Sequence, residues 1–338
     1  MKQSDAPLAK EVISLILDYT KAGTMIKKYR MLSDPPRLLL PEYEARSPRI
    51  YTQLGPWTET GRMRSGGQRK GFEWWPERMT NLQNLPKKTA RLDKLYNVRQ
   101  CIIADPGCVL VAADLSQAEL YAYLAYAGDE RKLARLSAGE DLHSEIAAAI
   151  YEIPLADVSR RTHRVVGKFA NYSLGYGGGW RMFLGKVNKD ADLTGVSISA
   201  ELAKKSVDTW RRLNPKTVRW WREVEDEVQR KGYLVNAFGR KRIFLKHKPN
   251  EIIANLPQST IADHLNAALA RVYKRYDPWL LQVMLQVHDE IVVQATETKA
   301  RQAAKAVQAE MSVPLRINEI DLSIPVDVSF GVNWGEMT

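Results

Sequence analysis

Apolar residues recur at helical spacing near the N-terminus. Val12, Ile13, Ile16, Leu17 and Ile26, with Lys and Asp between them, predict one amphipathic helix over Leu8 to Tyr29, ended by Pro35-Pro36. From Leu38 to Trp57 the pattern is extended and broken by Pro41, Pro48 and Pro56. Asn81 to Pro86 is polar and Pro-terminated, which predicts a loop. The pattern then changes. Cys108 to Ala113 is a continuous apolar run of buried-strand type that stops at Asp114. Ser116-Gln117-Ala118-Glu119 has the Ser-x-x-Glu form of a capping box and predicts a helix through Leu120, Leu124 and Ala127.

Helical spacing dominates from Leu120 to Gly232. One helix starts at Glu140-Asp141-Leu142-His143, a basic helix runs within Arg160 to Gly179, and Trp210 to Lys231 is rich in Trp and Arg. Strand patterns return with Tyr233 to Phe238, a turn at Gly239, and Arg242 to Leu245. A helix is predicted from Ser259 to Tyr276, with Ile261, Leu265, Leu269 and Val272 on one face. Leu280 to Val293 reads as two apolar strands joined at a tip, His288-Asp289-Glu290. Three ionisable residues at the tip also fit an ordinary solvated turn, but strands this apolar usually turn through Gly, Asn or Pro, which counts against it. No repeat or low-complexity linker interrupts the chain. The strand-rich ends are therefore expected to fold together around a helical insertion.

Composition narrows the class. With 338 residues and 45% hydrophobic residues the chain can bury a sizeable core, and no apolar run approaches the roughly 20 residues that span a membrane. The N-terminus leads into an amphipathic stretch and not into a signal-peptide core, so a cytoplasmic location is expected. Two cysteines, Cys101 and Cys108, suit a reducing compartment, and with no second Cys/His pair at ligand spacing they do not predict a zinc site. Lys and Arg total 50 against 39 Asp and Glu, and the resulting +11 suits a polyanionic partner.

The basic helix carries the first candidate chemistry. Arg164, Lys168, Tyr172 and Tyr176 stand four residues apart, which on a helix stacks them along one face spanning roughly 18 Å. Cations at one end suit phosphates, and rings at the other suit a sugar or base. The same spacing also fits a solvated basic helix with its aromatic end in the core. Asp114 lies at the mouth of a strand-to-helix turn, where a helix cap is the alternative role, as the capping box is for Glu119. The Gly/Arg-rich loop to Arg69, beside Phe72, Trp74 and Trp75, suits either nucleic acid or an ordered surface insertion. Two aspartates at strand ends, brought together, can hold two Mg2+ ions about 3.5–4 Å apart for an in-line phosphoryl transfer.

Asp114-Leu115-Ser116-Gln117-Ala118-Glu119-Leu120 resembles the first signature of family A DNA polymerases, the bacterial DNA polymerase I type. Arg164 to Gly177 resembles the second, Arg-x-x-x-Lys-x-x-x-Phe/Tyr-x-x-x-Tyr-Gly, and Val287-His288-Asp289-Glu290 the third. Thr60-Gly61-Arg62, Asn81 to Pro86, Gly139 to His143 and Gln258 match further family positions, so the resemblance runs from about Lys10 through nearly the whole chain. It implies an α+β right-hand polymerase core with an antiparallel palm sheet, a helical fingers insertion and a largely missing thumb. The implied divisions are a thumb-end helix over 1–36, palm over 37–120, fingers over 121–232 and palm again over 233–338.

By resemblance, Asp114 and Asp289 would be ligands of two Mg2+ ions, with Glu290 alongside. Arg164, Lys168 and His143 would hold the triphosphate of a dNTP, and Lys168 would protonate the leaving pyrophosphate. Gln117 would also contact the nucleotide. Tyr172 would lie under the sugar, Glu119 would fill the space of a 2′-hydroxyl, and Tyr176 would pack at the templating base. Arg62, Asn84, Gln258 and His288 would contact primer-template DNA. The implied function is template-directed DNA synthesis. Its rivals are a single-subunit RNA polymerase, which Glu119 opposes, and a DNA-binding subunit with impaired catalysis, which the intact aspartates and Arg/Lys pair oppose.

Several positions depart from the family pattern. Tyr121 stands where the first signature normally has Arg, and Ser173 and Gly175 replace the usual Gly and aliphatic residue. Arg62 and Asn81 are separated by a longer loop than usual, and Pro257 directly precedes Gln258. The match begins at what would be the last thumb helix, and no stretch supplies the acidic cluster of a proofreading nuclease. A fragment, a minimal enzyme, or a chain that relies on a separate polypeptide for thumb or exonuclease each fits.

Overall fold

A computed structural model describes residues 52, 54–56, 58–65, 82–85 and 97–337, without the side chains of 192 and 193. The expected Leu8–Tyr29 helix, the Pro-broken stretch up to 50, the basic loop with Phe72, Trp74 and Trp75, and Asn81 and Pro86 lie outside the described residues. The chain divides into two units, Met1–Gly55 with Arg64–Leu85 and Pro56–Met63 with Pro86–Thr338.

In the first unit, β1 (Leu54–Gly55) pairs antiparallel with β2 (Arg64–Ser65). Ser65 ties this ribbon to a short 3-10 helix, Leu82–Asn84. Its hydroxyl accepts from the Leu82 N–H at 3.0 Å, and its own N–H donates to Gln83 Oε1 at 3.1 Å. The expected loop is thus a single helical turn, because Leu82 and Leu85 are buried and pull it inward.

In the second unit, β3 (Cys108–Leu115) begins a four-stranded antiparallel sheet. A helical run follows it: α1 (Ala118–Tyr126), α2 (Glu130–Ser137), α3 (Leu142–Tyr151), α4 (His163–Leu174), α5 (Trp180–Lys189), α6 (Ala191–Thr194), α7 (Ala200–Leu213) and α8 (Pro215–Lys231). A ribbon of β4 (Tyr233–Val235) and β5 (Lys241–Ile243) leads into the long α9 (Pro249–Arg275). The sheet is completed by β6 (Gln282–Val287), β7 (Glu290–Thr296) and, after α10 (Ala300–Met311) and the ribbon β8 (Leu315–Ile317) with β9 (Ile320–Leu322), by β10 (Val326–Gly331). The order across the sheet is β10-β3-β7-β6. Strands from both sides of the helical run therefore do fold together.

The helix ends follow local chemistry. Asp129, Asp141 and Ser199 accept backbone N–H groups in the first turns of α2, α3 and α7. Pro215 opens α8, where its missing N–H has no intrahelical partner to lose, and Gly232 closes it in the left-handed conformation. Inside the bundle Trp210 and Trp221 stack with ring centroids 5.6 Å apart. Each indole donates to α4 or its end, Trp210 to Asn171 Oδ1 at 2.9 Å and Trp221 to the Gly175 carbonyl at 3.0 Å.

Three expectations need correction. The helix predicted from Ser259 begins at Pro249 and runs through Pro257. Buried Ile253, Leu256, Ile261 and Leu265 pack on both sides of that proline, and their burial outweighs the lost backbone bond. The capping box at Ser116 does not form, since α1 starts at Ala118 after Gln117 in the left-handed region (φ 54°), and the Ser116 N–H donates to the Pro325 carbonyl at 2.8 Å. Tyr176 lies beyond the end of α4, which stops at Leu174, where Gly175 and the glycine run 177–179 weaken further helix.

Gly167 sets how closely α3 and α4 approach. A Cβ there would lie 2.1 Å from the His143 carbonyl oxygen and 3.1 Å from Ala147 Cβ, whereas a Cβ on the exposed Gly185 of α5 would meet nothing within 4 Å. Gly167→Ala should therefore destabilise the protein by roughly 1–3 kcal/mol through overpacking, while Gly185→Ala stabilises it by about 0.5–1 kcal/mol through helix propensity. Urea denaturation of both variants checks this, and equal effects would contradict the close helix contact.

Candidate active site

The sheet register fixes where the carboxylates stand. Asp114 is opposite Asp327 of β10 on one side and Glu290 of β7 on the other. Directly opposed residues of an antiparallel pair share a face. Asp289 sits in the two-residue turn between β6 and β7, and its carbonyl accepts from the Leu115 N–H at 3.0 Å. His288 makes the turn possible by adopting φ 52°, a conformation Gly or Asn ordinarily supplies. The tip is narrower than the sequence suggested. Glu290 belongs to β7 and is buried, and its carboxylate accepts from the Trp334 indole at 3.2 Å.

A cavity of about 460 Å3 opens beside these strand ends. Asp114, Asp289 and Asp327 line it together with Ser116, Gln117 and Glu119 from the strand-to-helix turn, and His143, Arg164, Lys168 and Tyr172 from α3 and α4. Carboxylates thus come from the sheet and cations from a helix, in one solvent-reachable space. Arg164, Lys168 and Tyr172 keep the helical spacing read from the sequence. Glu290, Tyr176, Arg62, Gln258 and His288 do not line the cavity. Gln258 stands in α9, directly after its internal proline. Asn84 is exposed at the end of its 3-10 helix in the other unit.

Glu119 connects two of the residues outside the cavity. Its carboxylate pairs with the Arg62 guanidinium and accepts from the Tyr176 hydroxyl. The capping alternative for Glu119 is therefore not realised: α1 begins one residue later than the box requires, and the side chain turns to these partners. Arg62 is delivered by a turn in which Gly61 (φ 75°) donates to the Thr58 carbonyl and accepts from Asn266 of α9. Burial alone would lower the Arg62 pKa, but Glu119 and Asp289 outweigh it and hold it above its ordinary value. Burial and the Glu119 charge push the Tyr176 hydroxyl well up, so it stays a donor.

The cation side is equally organised. Asp141, which caps α3, accepts from Arg164 Nε at 2.6 Å and from Ser144 Oγ at 2.7 Å. Burial raises its pKa, but Arg164 and Ser144 overcome that and bring it to about 2. Burial first, then Arg164 and Lys168, lower the His143 pKa to about 4 against the opposing pull of Asp141. The ring is therefore neutral at pH 7. Burial and the surrounding Glu119, Asp289 and Asp114 charges push the Tyr172 hydroxyl up to about 12. Its ring lies 5.8 Å from the His143 ring and 6.0 Å from the Lys168 ammonium.

Two residues of this arrangement escaped the sequence reading. Asp141 was legible as a helix start, but its reach to Arg164 crosses 23 residues. Asp327 carries no local signal, since only the pairing of β10 with β3 brings it beside Asp114.

The model of the family described as DNA polymerase family A matches residues 5–336. A thermostable DNA polymerase I of Thermus filiformis is 28% identical over 97% of this chain and 37% of its own length. That of Thermus aquaticus is 26% identical over 96% of this chain and 36% of its own. A DNA polymerase of Mycobacterium phage D29 is 31% identical over 64% of this chain and 34% of its own. The chain thus spans a little over a third of the length of these curated relatives. Among solved structures, the POL domain of Pol1 from M. smegmatis, in complex with DNA primer-template and dNTP, superposes with a TM-score of 0.75 at 22% identity, covering 95% of this chain and 53% of that one. The fold is that of an α+β polymerase core. Among the described residues, no helix is long and apolar enough to cross a membrane.

The Asp141–Arg164 pair generates a stability prediction. A carboxylate whose folded pKa (about 2) lies below its ordinary 3.8 contributes stability above pH 4 and loses it as pH falls toward 2. The pair is about one-third exposed, so solvent screening reduces the contribution to roughly 1 kcal/mol. Asp141→Asn keeps an N-cap acceptor without the charge. It should be about 1 kcal/mol less stable at pH 7, and this deficit should shrink as pH falls from about 4 toward 2. Urea denaturation across that range checks it, and an unchanged deficit at pH 2.5 would contradict the ion pair.

Proposed function

The chain belongs to DNA polymerase family A, and from that premise we propose that it extends a primer 3′-hydroxyl by template-directed transfer of dNTPs, using the cavity between the β3/β7 strand ends and α4. One observation carries this reading. Asp114 and Asp289 line one cavity with Arg164 and Lys168, so acceptors for divalent cations and donors for a triphosphate meet in a single space.

The donor set fits Mg2+. Asp114 and Asp289 offer it hard carboxylate oxygens in one cavity. Mg2+ suits such a site, because it is usually held by one or two carboxylates together with waters and substrate phosphates. Asp114 and Asp289 would hold the ions. Bound there, Mg2+ supplies neutralisation of the charge that develops on the oxygens during in-line displacement.

The chain's own residues perform the remaining tasks. Arg164, oriented by Asp141, and Lys168 hold the non-reacting phosphates by charge-assisted hydrogen bonds. Lys168 is the proton donor assigned to the departing pyrophosphate oxygen. Neutral His143 adds a hydrogen bond without adding charge. Gln117 lies at the nucleotide's edge in the left-handed turn. Tyr172 supports the sugar, and Glu119, held by Arg62 and Tyr176, fills the volume a 2′-hydroxyl would need. Arg62, Asn84, Gln258 and His288 are assigned to the DNA, and Tyr176 to the templating base. Glu290, bonded to Trp334, steadies the strand that follows Asp289.

Asp114→Ala or Asp289→Ala should lower primer extension by roughly a thousandfold or more while leaving primer-template affinity nearly unchanged, because the carboxylates act on the transition state. Gel-based extension and DNA-binding assays check this, and near-normal extension by either variant would remove the assignment.

Tyr172 yields a second expectation. Its hydroxyl can take the place of a missing substrate 3′-hydroxyl, so dideoxynucleotides should be used almost as readily as deoxynucleotides. Tyr172→Phe should introduce discrimination with little effect on normal incorporation. The ratio of incorporation efficiencies measures it, and strong rejection of dideoxynucleotides by the parent would show that Tyr172 does not lie under the sugar.

A further inference from the structure

The polar atoms behind His143 form a chain whose direction follows from chemistry alone. It runs through three helices: Trp210 on α7, Asn171 on α4 and His143 in the first turn of α3. All three residues are 3% exposed or less, so water does not compete with the bonds between them. An indole N–H can only donate. It bonds one end of the Asn171 amide at 2.9 Å, which must therefore be the carbonyl oxygen. The amide nitrogen then faces the other way, 2.9 Å from His143 Nδ1 and 3.4 Å from the Leu142 carbonyl oxygen. An amide nitrogen has hydrogens to give and no acceptor capacity. His143 Nδ1 must be the acceptor, so the ring proton sits on Nε2.

We propose that Asn171 is a positioning residue that locks His143 as the Nε2–H tautomer, and that Trp210 sets the direction of the lock. The ring then offers the cavity a permanent, uncharged N–H donor for an anionic ligand. This rests on the reading of the cavity as a triphosphate site. Arg164 and Lys168 of α4 face His143 with positive charge, and Asp141 faces it from the α3 cap. Burial first, then the Arg164 and Lys168 charges against the opposing pull of Asp141, disfavour a second ring proton. The lock therefore holds across the physiological pH range. A neutral donor lets the two neighbouring cations carry the charge recognition while the ring fixes geometry.

The chain has five histidines, so the His143 signal is assigned by its loss in His143→Gln. Long-range proton–nitrogen correlation spectra of the 15N-histidine-labelled full chain then read the tautomer directly. The parent should show protonated Nε2 and bare Nδ1 at His143, unchanged from about pH 5.5 to 8. A protonated Nδ1, a tautomer average, or titration within that range would overturn the proposal without any variant being needed. In Asn171→Asp the carboxylate accepts from Nδ1 and retains the imidazolium. His143 should then titrate in this range, and between pH 8 and pH 6 dGTP affinity should rise roughly fivefold more than it does in the parent. An equal rise in variant and parent would also count against the lock. Addition of dGTP to the parent separates the two layers of the reading. A shift of His143 Nε2 supports both, whereas an intact tautomer with no response to dGTP would preserve the lock and overturn the triphosphate assignment.

Discussion

The register in which β3 pairs with β7 and β10 determines where the sheet carboxylates of the cavity stand. Val111, Ala112 and Ala113 of β3 lie opposite Val293, Val292 and Ile291 of β7, and all are buried. A slip of one residue would mismatch these buried pairs and carry Asp114 to the opposite face of the sheet. The hydrophobic effect on the strand interiors thus holds acidic groups together at the strand ends, where they repel one another. Repulsion tolerated at a site and sustained by burial elsewhere is what a site for multiply charged partners requires.

The rest of the molecule distributes charge around that constraint. Arg62 neutralises Glu119, Asp141 orients Arg164, and Arg99 lies 3.9 Å over the ring of Trp334, the residue that bonds Glu290. Close packing of α3 on α4 across Gly167 brings His143 to the same cavity as Arg164 and Lys168. The stacked pair Trp210 and Trp221 then anchors α4 from behind through two indole hydrogen bonds. Side chains far apart in sequence act as one rigid backing for a small set of exposed charges.

Legibility in the sequence followed the range of the interactions. The buried strand at Cys108, the helices between Leu120 and Gly232, and the cation spacing of Arg164 and Lys168 depend on neighbours within a few residues, and they were readable. Tyr176 was read onto α4 by spacing alone, but the glycines around it end the helix first. Glu119 was ambiguous because a capping box and a lateral ion pair present the same local sequence. Only the left-handed turn at Gln117 separates them. Asp327 was invisible, since its role in the cavity depends on a strand pairing more than two hundred residues away. The start of α9 was read ten residues too late, because the burial of Ile253 and Leu256 carries the helix back through Pro257.

The central claim is that one cavity brings a triphosphate between the sheet carboxylates and the cations of α4. A crystal structure of the chain with primer-template DNA, a non-hydrolysable dNTP analogue and Mn2+ measures this directly, with anomalous scattering locating the metal. The account predicts anomalous peaks at Asp114 and Asp289, with the analogue's phosphates reaching Arg164 and Lys168. Ordered analogue bound elsewhere, or a filled cavity without metal at either aspartate, would contradict it.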